Sequence, residues 1–214
     1  MLLSRRTTLT IGAALAFAGF AATAPAALAK PEPGKPAPAF TGVDSKGKTV
    51  SLAELRGKTV VLEWTNHDCP YVRKHYGAGN MQQLQTEAAK DGVVWLSVIS
   101  SRPGSQGHVT PAEADALTDS RNAAPAGVIL DEPGTIGRAY GARTTPHMAV
   151  IDPQGRLAFI GGIDDKPTAR EADIEGATNY VRLALDAVKS GQPVATPVAR
   201  AYGCSIKYAP DARS

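Results

Sequence analysis

The segment around Cys69-Pro70 constrains this 214-residue chain more than any other. Before it lies a β-branched apolar run, Thr59-Val60-Val61-Leu62-Glu63-Trp64, with the look of a buried strand. After it, residues 70–89 read as a helix interrupted around Gly77 and Gly79. Proline suits the first helical position, where its missing N–H costs nothing. Cys69 is then the N-cap, its sulfur facing the unpaired N–H groups of Tyr71 and Val72. The positive helix end pushes a thiol there toward thiolate. Arg73 and Lys74 in the same turn add positive charge, and Asp68 opposes it if its carboxylate points inward.

The rest of the chain supplies a frame for that junction. Residues 93–99 form a second buried strand, 111 onward a helix capped by Thr110, and 127–130 another strand. Residues 49–52 read as a short strand followed by one helical turn at 53–56. A short helix at 135–140 precedes a hairpin, with strands at 148–152 and 156–160 and a Pro153-Gln154-Gly155 turn. Residues 171–189 carry apolar positions at helical spacing. Strands alternating with helices and ending in a hairpin predict an α/β fold. Its mixed sheet of about five strands is flanked by helices.

The ends differ from this body. Residues 1–29 combine Arg5-Arg6, an apolar Ala-rich stretch over 11–22, and Ala27-Leu28-Ala29 as a cleavage site. They read as an export signal, and Ser4-Arg5-Arg6-Thr7-Thr8-Leu9 resembles a twin-arginine motif with Thr8 where that motif has Phe. The expected organisation is a signal peptide at 1–29, a folded domain at 30–190, and a tail at 191–214 carrying Cys204. The mature chain is expected in the periplasm or otherwise exported, in an oxidising compartment and without stable membrane insertion. Outside residues 1–29 the chain carries 21 basic and 20 acidic side chains, a balance that offers nothing to nucleic acid.

The chain resembles the thioredoxin-like superfamily, in its redoxin branch of the alkyl hydroperoxide reductase / thiol-specific antioxidant type. Several segments carry the resemblance: Gly34-Lys35-Pro36-Ala37-Pro38-Ala39-Phe40, Gly47-Lys48-Thr49-Val50-Ser51-Leu52 with Gly57-Lys58, and Thr144-Thr145-Pro146-His147. The last is similar to the superfamily's cis-proline loop, which implies a cis Thr145–Pro146 bond beside Cys69. The tail motif Gly203-Cys204-Ser205-Ile206-Lys207 resembles that of a bacterial subgroup of thioredoxin-family proteins. The resemblance implies a thioredoxin-like fold and a thiol-dependent oxidoreductase working through Cys69. Thr145 and Pro146 would shape the site.

Departures from the family pattern narrow the chemistry. Val72 stands where thioredoxins carry the second cysteine of Cys-x-x-Cys, so no disulfide closes within the motif. Leu62 and Asn66 stand where peroxiredoxins carry Pro and Thr, and Arg143 is shifted from their Arg. Thiol–disulfide exchange is therefore the first expectation. A peroxiredoxin-like thiol peroxidase is the alternative, with Asn66 still able to donate one hydrogen bond. Three readings of Cys204 stay open: a resolving cysteine, half of a static disulfide pinning the tail, or a thiol that never meets Cys69.

Other residues carry weaker signals. Glu63, inside an apolar strand, is either a buried proton shuttle beneath the thiol or an exposed strand end. His67, His75 and His147 would make a copper-type site only if they gathered at Cys69. A non-catalytic metal- or client-binding module is thus a further alternative. Trp64 and Tyr71 read as packing beside the site. Asp131-Glu132 and Asp164-Asp165 read as solvated turns. No cofactor and no resident metal are expected. The partners expected are a protein disulfide or a peroxide as substrate and an external thiol reductant.

Overall fold

The computed structural model describes residues 30–210, so the export signal read at 1–29 lies outside the described residues. A small hairpin comes first, β1 (Thr41–Val43) and β2 (Thr49–Ser51), followed by a 3-10 turn at Leu52–Leu55. Then come β3 (Val60–Trp64), α1 (Pro70–Gly77), α2 (Asn80–Lys90), β4 (Val94–Ile99), α3 (Pro111–Ser120), β5 (Gly127–Leu130) and α4 (Thr135–Ala139). The chain ends with β6 (Thr144–Thr145), β7 (His147–Ile151), β8 (Leu157–Gly161), a 3-10 turn at Glu171–Ile174, α5 (Tyr180–Lys189) and β9 (Cys204–Ser205).

The main sheet has five strands in the order β5-β4-β3-β7-β8. β3, β4 and β5 are parallel, and β7 and β8 are antiparallel to their neighbours. This is the expected mixed sheet. Every residue of β3 is buried, which explains its unbroken apolar run: a central strand is covered on both faces. On one face Val61, Met148 and Phe159 pack against Val72 and Tyr76 of α1, Met81 and Leu84 of α2, and Val181 of α5. On the other, Leu62, Trp64, Ala149 and Ile151 pack against α4, the β1–β2 hairpin and the 3-10 turn after it through Ile136, Val50 and Leu52. Each buried aliphatic side chain contributes about 1.5–3 kcal/mol. Cys69 belongs to the first face, so the sheet presents it on the side covered by α1, α2 and α5.

Local signals worked where caps were strong. Thr110 and Glu113 form a reciprocal capping box at the start of α3. Gly79 takes φ 70° between α1 and α2, which breaks the expected long helix as its glycines suggested. The reading of 171–189 as one helix is corrected. α5 starts only at Tyr180 because the Asn179 side chain caps it, accepting the Arg182 N–H at 3.0 Å. The residues before it fold as an isolated 3-10 turn.

The tail departs most from expectation. Little structure was legible there, yet backbone bonds fasten it to the body at several points. Ile160 N–H donates to Pro197 O at 3.0 Å, Ile206 N–H to Arg143 O at 2.9 Å and Arg102 N–H to Lys207 O at 2.8 Å. β9 pairs antiparallel with β6, setting Cys204 opposite Thr145.

Candidate active site

Cys69 is the N-cap of α1, with Pro70 at the first helical position. Its sulfur does not make the expected cap bond. The reason is that its own carbonyl already takes the Val72 N–H at 3.0 Å and the Arg73 N–H at 2.9 Å. The sulfur turns instead toward the loop of the cis Thr145–Pro146 bond. As a thiol it donates to the Thr145 carbonyl, 3.1 Å away. From the other side the Cys204 backbone N–H donates to the sulfur at 3.4 Å. Both cysteines are free thiols, Cys69 fully buried and Cys204 half-buried.

These surroundings separate the two thiols electrostatically. Burial works to raise the Cys69 thiol, but hydrogen bonds from Cys204, first its thiol and then its backbone N–H, lead the contributions that outweigh it, and its pKa is lowered. Cys204 is pushed up to about 11 by burial and by the bond to Cys69 and the charge of its thiolate, with Lys207 opposing. The two neighbouring thiols are thus shifted in opposite directions, Cys69 down and Cys204 up.

Arg73 and Lys74, expected to activate Cys69, are both committed elsewhere, which corrects that expectation. Arg73 donates to the His67 carbonyl at 3.0 Å and to Asp68 Oδ1 at 3.3 Å, which also turns Asp68 toward solvent-facing partners. Lys74 is buried, paired with Asp164 at 3.3 Å. Thiolate stabilisation therefore comes from short-range hydrogen bonds and not from these cations.

The remaining candidates sort by contact. Asn66 is buried and shapes the turn before Cys69: its side-chain oxygen accepts the Asp68 N–H at 2.9 Å and its carbonyl accepts the Cys69 N–H at 3.1 Å. Arg143 has an exposed side chain, and its carbonyl receives the tail. Glu63 is fully buried, so the exposed-end reading is overturned. Its carboxylate accepts from Tyr76 Oη and Trp95 Nε1, both at 2.8 Å, and from Gln85 and Ser97, both at 3.2 Å. Burial raises its pKa despite those bonds. Its partners are core side chains, and Tyr76 links it to the helix that Cys69 caps.

The three histidines do not gather at Cys69. His67 faces Asp68 at 3.4 Å, His75 meets Asn80 and Tyr202, and His147 packs edge-on against Trp64 within the other core. Among the described residues no group of three or more His, Cys, Asp or Glu is placed to hold a metal. Trp64 likewise lies in the opposite core, against Tyr140, while Tyr71 meets Tyr202 of the tail. A cleft of about 710 Å³ beside α1 is lined by His67, Arg73, Tyr76, Gln82, Arg121 and Glu171 among others, and by neither cysteine.

Sequence reasoning missed two buried carboxylates altogether. Asp131 and Asp164, read as solvated turns, are both buried. Asp131 accepts the N–H groups of Ile136 and Gly137 at the start of α4, at 3.1 and 2.9 Å. Asp164 joins Lys74, His75 and the tail residue Tyr202. A pair of adjacent aspartates after a strand gave no hint of burial, because its counter-charge lies 90 positions away.

Among the described residues no helix is long and apolar enough to cross a membrane. Among solved structures, a hypothetical protein of Sinorhizobium meliloti is 24% identical with a TM-score of 0.72, covering 84% of this chain and 96% of that one. An uncharacterized conserved protein of Geobacillus kaustophilus is 25% identical with a TM-score of 0.73, covering 85% and 94%. A protein of Chlorobium tepidum described as a putative thiol:disulfide interchange protein DsbE is 21% identical, with a TM-score of 0.53 over 75% of this chain and 99% of that one. No protein with a curated description matches. The AhpC/TSA family profile matches residues 33–160, the span holding Cys69, the cis-proline loop and all five strands of the main sheet up to Ile160, and the chain belongs to that family.

Proposed function

We propose that this protein is an exported thiol–disulfide oxidoreductase in which Cys69 is the nucleophile and Cys204 resolves it. The observation that carries the reading is the contact between the two: Cys204 N–H on Cys69 Sγ at 3.4 Å, with the Cys69 pKa lowered and that of Cys204 raised. The Cys69 thiolate attacks a substrate disulfide, forming a mixed disulfide and expelling one substrate thiolate. Cys204 then loses its proton and attacks Cys69 Sγ, expelling the second substrate thiolate. The two leaving groups take up the Cys204 proton and the one Cys69 had released to solvent. Two protein thiols are oxidised to a disulfide, one substrate disulfide is reduced, and an external dithiol restores the pair.

Disulfide exchange has better support than peroxide reduction. Of the positions that would polarise a peroxide, Arg143 is exposed and Leu62 is an apolar core residue, which leaves only the buried, unpartnered Asn66 amide N–H as a donor. A peroxide-polarising set is not assembled around Cys69. The separated histidines likewise give a metal-binding module no support.

The test is trapping. In Cys204→Ser, a model protein disulfide should leave a stable mixed disulfide on Cys69, seen by non-reducing mass spectrometry. The wild-type chain should instead release the substrate and carry an internal disulfide. Rapid peroxide consumption with no mixed disulfide would favour the peroxidase reading.

A further inference from the structure

Cys69 is fully buried, and the segment that covers it is the tail that carries Cys204. Ile206 and Tyr208 pack this tail onto one core and Val194 and Ala199 onto the other, and a polar cluster adds a more specific hold. Tyr202, two residues before Cys204, donates its hydroxyl to Asp164 Oδ1. Lys74 Nζ reaches Asp164 Oδ2 at 3.3 Å, the Lys166 carbonyl at 2.8 Å and the Tyr202 hydroxyl at 3.4 Å. His75 Nε2 also meets that hydroxyl at 3.4 Å, while its Nδ1 faces the Asn80 amide at 2.9 Å. Lys74 and Asp164 are 1% and 3% exposed. A buried ion pair of this kind is weak evidence for stability, since an apolar pair of similar volume often serves as well. What it does provide is direction: charged hydrogen bonds fix a hydroxyl where apolar packing would let it slide.

The position of the cluster gives that direction a use. Lys74 and His75 lie one turn or more into α1, the helix that Cys69 caps, and Tyr202 is part of the tail. The cluster thus ties the tail to the Cys69 helix itself. Between Tyr202 and Cys204 stands Gly203, at φ 128°, where a side chain would run into the Thr145 carbonyl. The chain from the tyrosine hydroxyl to the second cysteine is therefore short and tightly guided.

We infer that Lys74, Asp164 and Tyr202 form a latch that positions Cys204 on Cys69 for the resolving step. The inference rests on the proposed function, and the latch residues are positioning residues that touch no reacting atom. The latch raises the effective concentration of the Cys204 thiol at Cys69, and it governs how often the tail lifts to admit a substrate.

The experiment equilibrates the whole chain in glutathione redox buffers and measures the fraction carrying the Cys69–Cys204 disulfide, for wild type, Tyr202→Phe and Asp164→Asn. Tyr202→Phe keeps the ring against Tyr71 and removes only the hydroxyl. Loss of a hydrogen bond to a charged partner should lower the effective concentration about tenfold or more. It should also speed alkylation of Cys69, because the covering tail lifts more often. Thermal melts of both redox states are measured alongside. A purely structural tyrosine would lower both melts equally and leave the glutathione equilibrium unmoved, and that result overturns the latch. A wild-type chain that never closes the disulfide overturns the resolving role of Cys204 and the latch with it. Wild-type closure with equal closure in both variants overturns the latch alone.

Discussion

The backbone N–H of Cys204 points at the sulfur of Cys69 from 3.4 Å, across 135 positions of chain. The contact is made by main chain, so it survives replacement of the Cys204 side chain. It stabilises a negative sulfur at Cys69, in the way an N–H of the helix N-terminus would have done had those groups been free.

The two thiols should titrate far apart. Alkylation of Cys69 followed across pH should give a midpoint below the free-thiol value of ~8.5. Cys204 should respond only near pH 11. In Cys204→Ala the Cys69 midpoint should rise but stay below that of Cys69 in the unfolded chain, since the side-chain donor is lost and the backbone N–H remains. Peptide mapping after brief alkylation separates the two sites, and a Cys69 midpoint at or above that of the unfolded chain would remove the basis for its activation.

Gly203→Ala should uncouple the tail. At φ 128° an L-residue is strained, and the new methyl meets the Thr145 carbonyl. The expected loss is about 1–3 kcal/mol from the segment's docking. Because β9 pairs only with β6 and lies outside the five-stranded sheet, global stability should change little while disulfide closure slows markedly. Hydrogen exchange at Cys204 and Ile206, compared with exchange in β3, distinguishes local release from global unfolding.

Glu63 should make the protein less stable as pH rises. Burial raises its folded pKa above the unfolded value of ~4.3, so in that interval the folded state holds the extra proton. Its contribution is then present at low pH and is lost as pH climbs through the folded pKa. In Glu63→Gln this falling component should vanish, although the variant's absolute stability changes too. Urea midpoints for both proteins from pH 4 to 8 read the difference in slope, and identical slopes would assign Glu63 an unshifted pKa.

His147 works with the opposite sign. Burial pushes its pKa down to about 4, and neither ring nitrogen has a hydrogen-bond partner. The unfolded chain takes up a proton near 6.5. Stability should therefore be lost as pH falls from about 6.5 toward 4, by up to about 3 kcal/mol from this residue. His75, also pushed down to about 4, contributes in the same window. His147→Phe keeps a ring against Trp64 and should flatten the acid limb. Denaturant midpoints measured between pH 4 and 7 check it.

Much of the frame was readable in advance because it rests on local chemistry. The all-buried β3, the glycine break between α1 and α2, the capping box at Thr110 and the Pro70 that makes Cys69 a cap each need only neighbours a few positions away. Where local evidence was weaker it misled. The run at 171–189 has helical spacing throughout, but Asn179 offers a better start than anything before it.

The amino-acid order by itself determined the order of the five main-sheet strands, the placement of one cysteine at a strand-to-helix turn, and the absence of a partner at Val72. Only the tertiary structure decided where Cys204 goes, which charges lie near Cys69 and which are spent elsewhere. Lys74 shows why. Sequence places it one turn from the Cys69 sulfur, yet burial turns it to partners that can satisfy its charge. Asp164 does so from 90 positions away, with Tyr202 of the tail completing the set. Caps and periodicity are properties of a few consecutive residues. The electrostatics of a buried site is a property of whatever the fold brings together, because removal from water makes every unpaired charge too costly to leave alone.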